Sequence, residues 1–263
     1  MLITNSDSCS TAVLAALDRQ LIAQMLKMSP NCLTDISDIP NLVLAGIETH
    51  PYLVPAAAAA LKRAIAKRGT SMTVNSCYRT IAQQMLLYSN QQRCGIVAAA
   101  PGKSNHQGGA AIDIEDAYEW ESYLEAEGWN KLGDWDAMHF DYPGSDIRSL
   151  SVKAFQDLCN RNGIPMAVDG VMGDSTMAVL SRAPIEGFEN ALYPRTLCLT
   201  SPQQQGRDVG KLQLALKVKA DCVFGKGTDA AVKSWQISMR LNGDGRVGDT
   251  SRSVLYPVDS SIA

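Results

Sequence analysis

The stretch "SNHQGGAAIDIED", residues 104–116, decides the reading of this chain. It opens polar, with His106 between Asn105 and Gln107, turns through Gly108 and Gly109, and runs into the apolar segment Ala110–Ile114. Asp113 interrupts that segment. Side chains alternate along a strand, so Ala110, Ile112 and Ile114 face one way, and Ala111, Asp113 and Glu115 face the other. A second short segment, "AMHFDY" (137–142), alternates in the same manner. There His139 and Asp141 share one face, and Met138, Phe140 and Tyr142 share the opposite one. If the two strands pair, Asp113 and His139 project from the same side, and His106, at the mouth of the first strand, reaches the same point.

Elsewhere the first half mixes helices and short strands. Residues 10–28 carry apolar side chains at helical spacing, with Ser10 or Thr11 able to cap. "PAAAAALKRAIAKR" (55–68) has proline in its first turn, cations in its last and Gly69 behind it, so it reads as a helix. "SMTVNSCY" (71–78) reads as a strand, and Thr80 caps a helix to about Tyr88. Residues 90–109 read as loop, and 117–127 as a helix capped by Asp116 and stopped by Gly128. Without a βαβ rhythm, the expected fold is α+β, helices around a small antiparallel sheet, over residues 1–145.

The second half repeats itself. "DGVMGDSTMAVL" (169–180) and "DGRVGDTSRSVL" (244–255) share a pattern, each preceded by an aromatic–Gln pair, Phe155–Gln156 and Trp235–Gln236. A weaker copy runs from Leu212–Gln213 to "DCVFGKGTDAAV" (221–232). A helix, glycine-rich turn, helix unit used again predicts a small all-α domain over 146–263, with the Ser or Thr after the second glycine capping the next helix. An EF-hand reading of "NGDGRVGD" fails, because Arg246 and Val247 occupy positions that need a ligand and a glycine.

The bulk numbers narrow the function. With 263 residues, 46% hydrophobic and 19% charged, the chain has the composition of a soluble globular protein; its net charge of −3 argues against a nucleic-acid role. No segment reaches the length of a membrane span. The first 30 residues lack the basic-then-apolar pattern of a secretory signal. The seven cysteines, 9, 32, 77, 94, 159, 198 and 222, are irregularly spaced and lack a CxxC. They read as reduced, mostly buried thiols folded in a reducing compartment. A monomer is expected.

Two imidazoles and one carboxylate form a sufficient protein ligand set for catalytic zinc, with water as fourth ligand. Asp136, three residues before His139, is placed to serve as general base toward an attacking water. Arg79, at the end of strand 71–78, reads by itself as an ordinary surface or ion-pair arginine; its functional reading is a fork for a substrate carboxylate.

These segments resemble a known family. "SNHQGGAAID" matches SxHxxGxAxD, "SCYRT" resembles SxYR, and "DWDAMHFDY" resembles a (D/E)xxH segment. All three are motifs of the D-alanyl-D-alanine carboxypeptidase family of zinc peptidases, in family order, over about 45–145. The resemblance implies that His106, Asp113 and His139 bind Zn2+, that Asp136 is the base, that Arg79 contacts a substrate carboxylate or the oxyanion, and that Ser104 lines the site. Cys77 stands where the family commonly has glycine. His50 matches no motif and is expected to be structural. The repeats resemble the peptidoglycan-binding domain of wall-lytic enzymes, in which Trp235 and Tyr256 are aromatic candidates. The expectation is a zinc-dependent hydrolase of peptidoglycan stem peptides, of carboxypeptidase or endopeptidase type. Without a recognisable signal, the expectation is a phage-type endolysin or another lytic enzyme that reaches the wall by a separate route. Its rivals are a non-catalytic wall binder with structural zinc and a dipeptidase acting on free D-alanyl-D-alanine.

Overall fold

The computed structural model describes residues 1–189 and 196–255, in two compact units, Met1–Phe188 and Glu189–Ala263. Tyr256 lies outside the described residues.

The first unit opens with a 3-10 turn, Ile3–Asn5, and a second one, Thr11–Leu14, runs into α1 (Ala15–Met28); the Ser10 side chain accepts from the Ala12 amide. After β1 (Thr34–Asp35), β2 (Leu42–Leu44) and β3 (Tyr52–Leu53) comes α2 (Pro55–Arg68). Pro55 takes the first turn, where its missing N–H costs nothing, and Gly69 ends the helix in the left-handed conformation, φ 71°. Then follow β4 (Met72–Ser76) and α3 (Ile81–Cys94). Thr80 and Gln83 close a reciprocal capping box that fixes the start of α3 directly behind Arg79. The helix runs to Cys94, past the Tyr88 expected from the sequence. Next are β5 (Ala111–Ile114) and α4 (Ala117–Glu125). Asp116 precedes α4 at φ 50° and makes no side-chain cap, contrary to expectation; its left-handed backbone makes the sharp entry instead.

With β6 (Asn130–Lys131) and β7 (His139–Asp141), the main sheet has the order β2-β4-β5-β7-β6, while β1 and β3 form a separate antiparallel pair. The sheet is antiparallel except at one edge, where β2 runs parallel to β4. The residues after β2 make the crossover through α2, so the purely antiparallel expectation is corrected there. The fold is α+β. One face of the sheet buries Met72, Val74, Ile112, Ile114 and Phe140 against α2 and α4, where Leu61, Ile65, Trp120 and Leu124 are fully buried. Met138, expected on the same strand face as Phe140, is 46% exposed and belongs to the turn before β7.

The expected boundary near residue 145 does not coincide with the division between the units. α5 (Arg148–Arg161) packs along α1, and α6 (Asp174–Ser181) packs against α3. The buried Tyr78 hydroxyl meets Ser151 Oγ at 3.4 Å, and the Ile3 amide donates to the Ala183 carbonyl at 3.0 Å. The first sequence repeat is therefore built into the first unit. The second unit holds α7 (Arg207–Ala215), α8 (Lys226–Ser238) and α9 (Asp249–Leu255), around Leu197, Val209, Leu212, Phe224, Val232 and Val247.

The repeat has a single hydrogen-bond logic. Each repeat buries one glutamine in the glycine-rich turn that follows it. Gln156 Nε2 reaches Asp169 Oδ1, the Val171 carbonyl and Thr176 Oγ1, while its Oε1 accepts from the Gly170 amide. Gln213 repeats this with Asp221, Val223, Thr228 and the Cys222 amide. Gln236 does so with Asp244, Arg246, Ser251 and the Gly245 amide. The middle copy, weak in sequence, is thus complete in structure. Gly170 and Gly245 lie at φ 76° and 75°, and Cys222 holds the same place at φ 61°, a costly region for any residue with a Cβ. Thr176, Thr228 and Ser251 face inward and bond back to the turn carbonyls, so they do not cap the following helices as expected.

The cysteines also correct an expectation. Cys9 and Cys94 form a disulfide, 85 residues apart in sequence. The N-terminal segment is carried to the end of α3 by Asn90, whose Nδ2 donates to the Ser6 and Ser8 carbonyls, and by an Arg93–Asp7 ion pair at 2.9 Å. Cys32, Cys77 and Cys159 are buried free thiols, and Cys198 and Cys222 are half-buried free thiols.

Candidate metal centre

Strand pairing builds the site. β5 and β7 are antiparallel with Asp113 directly opposite His139, and Ala111 opposite Asp141. Directly opposed residues on one face have Cβ atoms about 5 Å apart, within reach of a shared ion. His106 enters from the loop, whose turn is closed by the Gly109 amide donating to the His106 carbonyl at 3.1 Å. Gly109 requires φ 73°, and a Cβ there would press on Val54 and Ile147 at 3.0 and 3.1 Å. The loop is joined to β4's end by the Arg79 amide, which donates to the His106 carbonyl at 3.1 Å.

One ligand atom from each of His106, Asp113 and His139 falls within a 4.8 Å cluster. His139 Nδ1 is 2.9 Å from Asp113 Oδ1 and 3.2 Å from His106 Nε2, which is itself 3.3 Å from Asp113 Oδ2. The outer nitrogens have their own acceptors. His106 Nδ1 meets the Cys77 carbonyl at 2.9 Å, with Ser76 Oγ at 3.3 Å, and His139 Nε2 meets Asp141 Oδ1 at 2.9 Å. With N–H groups on those outer nitrogens, the inner lone pairs converge on each other and on a carboxylate. A cation reconciles such a set, and two nitrogens with one oxygen suit zinc. The residues present therefore fit a metal ion.

The charges are unequal. Burial and the neighbouring Arg79 cation hold the His106 ring below its ordinary range, so it is neutral. Burial lowers His139 too, but hydrogen bonds to Asp113 and Asp141 outweigh it and push the ring up to about 9. Burial works against ionisation of Asp113, yet the two imidazoles hold its carboxyl well below the usual range.

Arg79 Nη2 lies 3.8 Å from Asp113 Oδ2 and donates to Ser76 Oγ at 3.1 Å; Nη1 donates to Gln84 Oε1 at 3.1 Å. Burial pulls the guanidinium down from its ordinary value, while Asp113 and Asp136 pull it back up. Asp136 closes the short helical turn Asp134–Asp136 just before β7, half-buried and electrostatically coupled to Arg79. Ser104 is buried at the start of the loop, where its carbonyl accepts from the Gly108 amide; its hydroxyl makes none of the hydrogen bonds described above. The Cys77 side chain is buried in the core, so only its carbonyl faces the cluster. His50 lies apart, its Nε2 3.1 Å from the buried Asp18, which also accepts from Thr80 Oγ1 at 2.5 Å.

The sequence reading left Ser76, Gln84, Asn105 and Asp141 without roles. Ser76 could have been found as the serine of "SCYR", and Asp141 from its place on the face of His139; Gln84 and Asn105 carry no signal separable from ordinary polar residues.

Two imidazoles and a carboxylate thus converge on one point where a metal ion could be held, with the Arg79 guanidinium close to Asp113. Residues 50–141, which contain all of these groups, match the family model for D-alanyl-D-alanine carboxypeptidase (VanY). Seven solved chains match. One is described as "Structure of the LdcB LD-carboxypeptidase reveals the molecular basis of peptidoglycan recognition"; it shares 20% identity over 47% of this chain and 75% of its own length, with a TM-score of 0.33. No curated protein matches.

Proposed function

We propose that the protein is a zinc-dependent hydrolase of peptidoglycan stem peptides, cleaving an amide bond by carboxypeptidase or endopeptidase action. The observation that carries this reading is the convergence of two imidazole nitrogens and one carboxylate oxygen within 4.8 Å, inside the segment that matches the peptidase family. His106, Asp113 and His139 would hold the ion. Zinc bound there supplies Lewis-acid polarisation of the scissile carbonyl and acidifies water. Asp136 takes a proton from the attacking water as the new C–O bond forms. It returns that proton to the amine nitrogen as the C–N bond breaks, which balances the reaction. Arg79 donates to the developing oxyanion or to a carboxylate of the stem peptide. Ser104 lines the approach.

We assign the second unit a wall-binding role, on its resemblance to peptidoglycan-binding repeats. The Cys9–Cys94 disulfide supports action outside the reducing cytoplasm, where such bonds persist. Mass spectrometry of muropeptides after digestion, with and without a chelator, tests the reading and shows which bond is cut. Zinc-dependent loss of one stem-peptide bond is the expected result. Asp136→Ala is expected to abolish cleavage while zinc stays bound. Intact cleavage by that variant overturns the mechanism and favours a different base.

A further inference from the structure

His139 is gripped by two carboxylates of the same sheet face, Asp113 on Nδ1 and Asp141 on Nε2, each at 2.9 Å. Only one of them belongs to the donor cluster. Asp141 stands two residues after His139 on β7, and strand alternation turns both to one side. Its cross-strand partner is Ala111, whose small side chain leaves space for a carboxylate to lean toward the imidazole. The second oxygen of Asp141 is engaged as well, since Asn105 Nδ2 donates to Oδ2 at 2.9 Å. Asn105 immediately precedes His106. A hydrogen-bonded chain thus runs from the His139 ring through Asp141 and Asn105 to the loop that carries the other imidazole. His106 has a neutral counterpart of this device in the Cys77 carbonyl.

We infer that Asp141, braced by Asn105, is a positioning residue that keeps the N–H of His139 on Nε2 and turns Nδ1 toward the metal, so that zinc affinity depends on it. A ring that gives its Nδ1 lone pair to a cation must place its remaining proton on Nε2, and a carboxylate is the strongest acceptor for that proton. Without it the ring turns about its last torsion at little cost, and the donor set loses its geometry. The inference rests on the metal-centre reading above, but not on peptidoglycan as substrate.

The test is zinc affinity of the full chain, by competition with a chromogenic chelator, for wild type, Asp141→Ala, Asp141→Asn and Asn105→Ala. Losing the carboxylate is expected to weaken binding by about 10- to 100-fold. Asp141→Asn, which keeps an acceptor oxygen, is expected to recover part of that loss, and Asn105→Ala to show a smaller one. Imidazole 15N spectra of the zinc-loaded wild type are expected to show His139 protonated on Nε2. An Asp141→Ala variant within about twofold of wild type, or a His139 proton on Nδ1, overturns the inference. If Asp141→Ala does not fold, the Asp141→Asn affinity and the wild-type spectra decide. Wild type that binds zinc but cleaves no stem peptide refutes the peptidase reading alone, whereas wild type that binds no zinc refutes both.

Discussion

Zinc binding here should be a proton exchange with a calculable size. In the metal-free site His139 carries a proton on each nitrogen at neutral pH, because Asp113 and Asp141 raise its pKa from an ordinary 6.5 to about 9. The other two ligands hold no proton to displace, since His106 is pushed down and neutral and Asp113 is ionised. Zinc must therefore expel one proton from His139 Nδ1. Two pH units below the folded pKa about 1% of the protein has that nitrogen free, against about half at pH 9, so apparent affinity at pH 7 is expected to be about 50-fold weaker than at pH 9. Well below pH 9 the slope is one decade per pH unit, flattening as pH approaches the pKa. A chelator-competition series across this range reads the slope, and calorimetry in buffers of different ionisation enthalpy counts the ligand proton. Affinity that changes by less than about threefold between those pH values refutes the charge assignment. The same shift has a stability sign. A raised pKa contributes stability that is fully present below about 6.5 and is lost as pH rises through about 9, so the metal-free protein should melt lower in alkali than at neutral pH.

Three further outcomes are expected. Arg79→Ala should lower kcat by about 10²- to 10³-fold, the usual loss for one oxyanion donor, while zinc affinity holds or improves because a cation near Asp113 is gone; weaker zinc binding would make Arg79 a structural brace. Gln236→Ala should destabilise the second unit by roughly 3 kcal/mol, since it strands several buried partners at once, and a denaturation transition unchanged within about 1 kcal/mol counts against the repeat logic. Cys222→Gly should stabilise that unit by about 0.5 kcal/mol by removing a Cβ from left-handed backbone, net of glycine's greater freedom when unfolded, and a lower melting temperature would contradict this.

The sequence carried the site further than the architecture around it. Asp113 opposite His139 was legible because alternation is a local rule and an aspartate in an apolar strand breaks an obvious pattern. α2 matched its expected limits because Pro55 and Gly69 punctuate a short-range structure. What stayed hidden was long-range. Nothing local shows that β2 runs parallel to β4, or that Asn90 draws the N-terminal segment to α3 and brings Cys9 to Cys94. The middle repeat looked degenerate because Cys222 replaces a glycine, although the glutamine that organises the turn is retained. Asp141 was visible on the right face, but its use depends on Asn105, which sequence spacing cannot pair with it.

The placement of α5 has a practical consequence for dissecting the protein. Ser151, on the helix's first turns, meets both the Tyr78 hydroxyl and Gln107 Nε2 at 3.4 Å. Tyr78 is the neighbour of Arg79, and Gln107 of His106. The helix is thus a shared buttress behind the two segments that present the arginine and the first imidazole. A shortened protein ending near residue 145 would keep every residue of the centre and lose the wall on which two of them lean. A cut after Phe188 leaves that wall standing, and a side-by-side comparison of the two fragments would show how far a hydrolytic centre can outlive its scaffold.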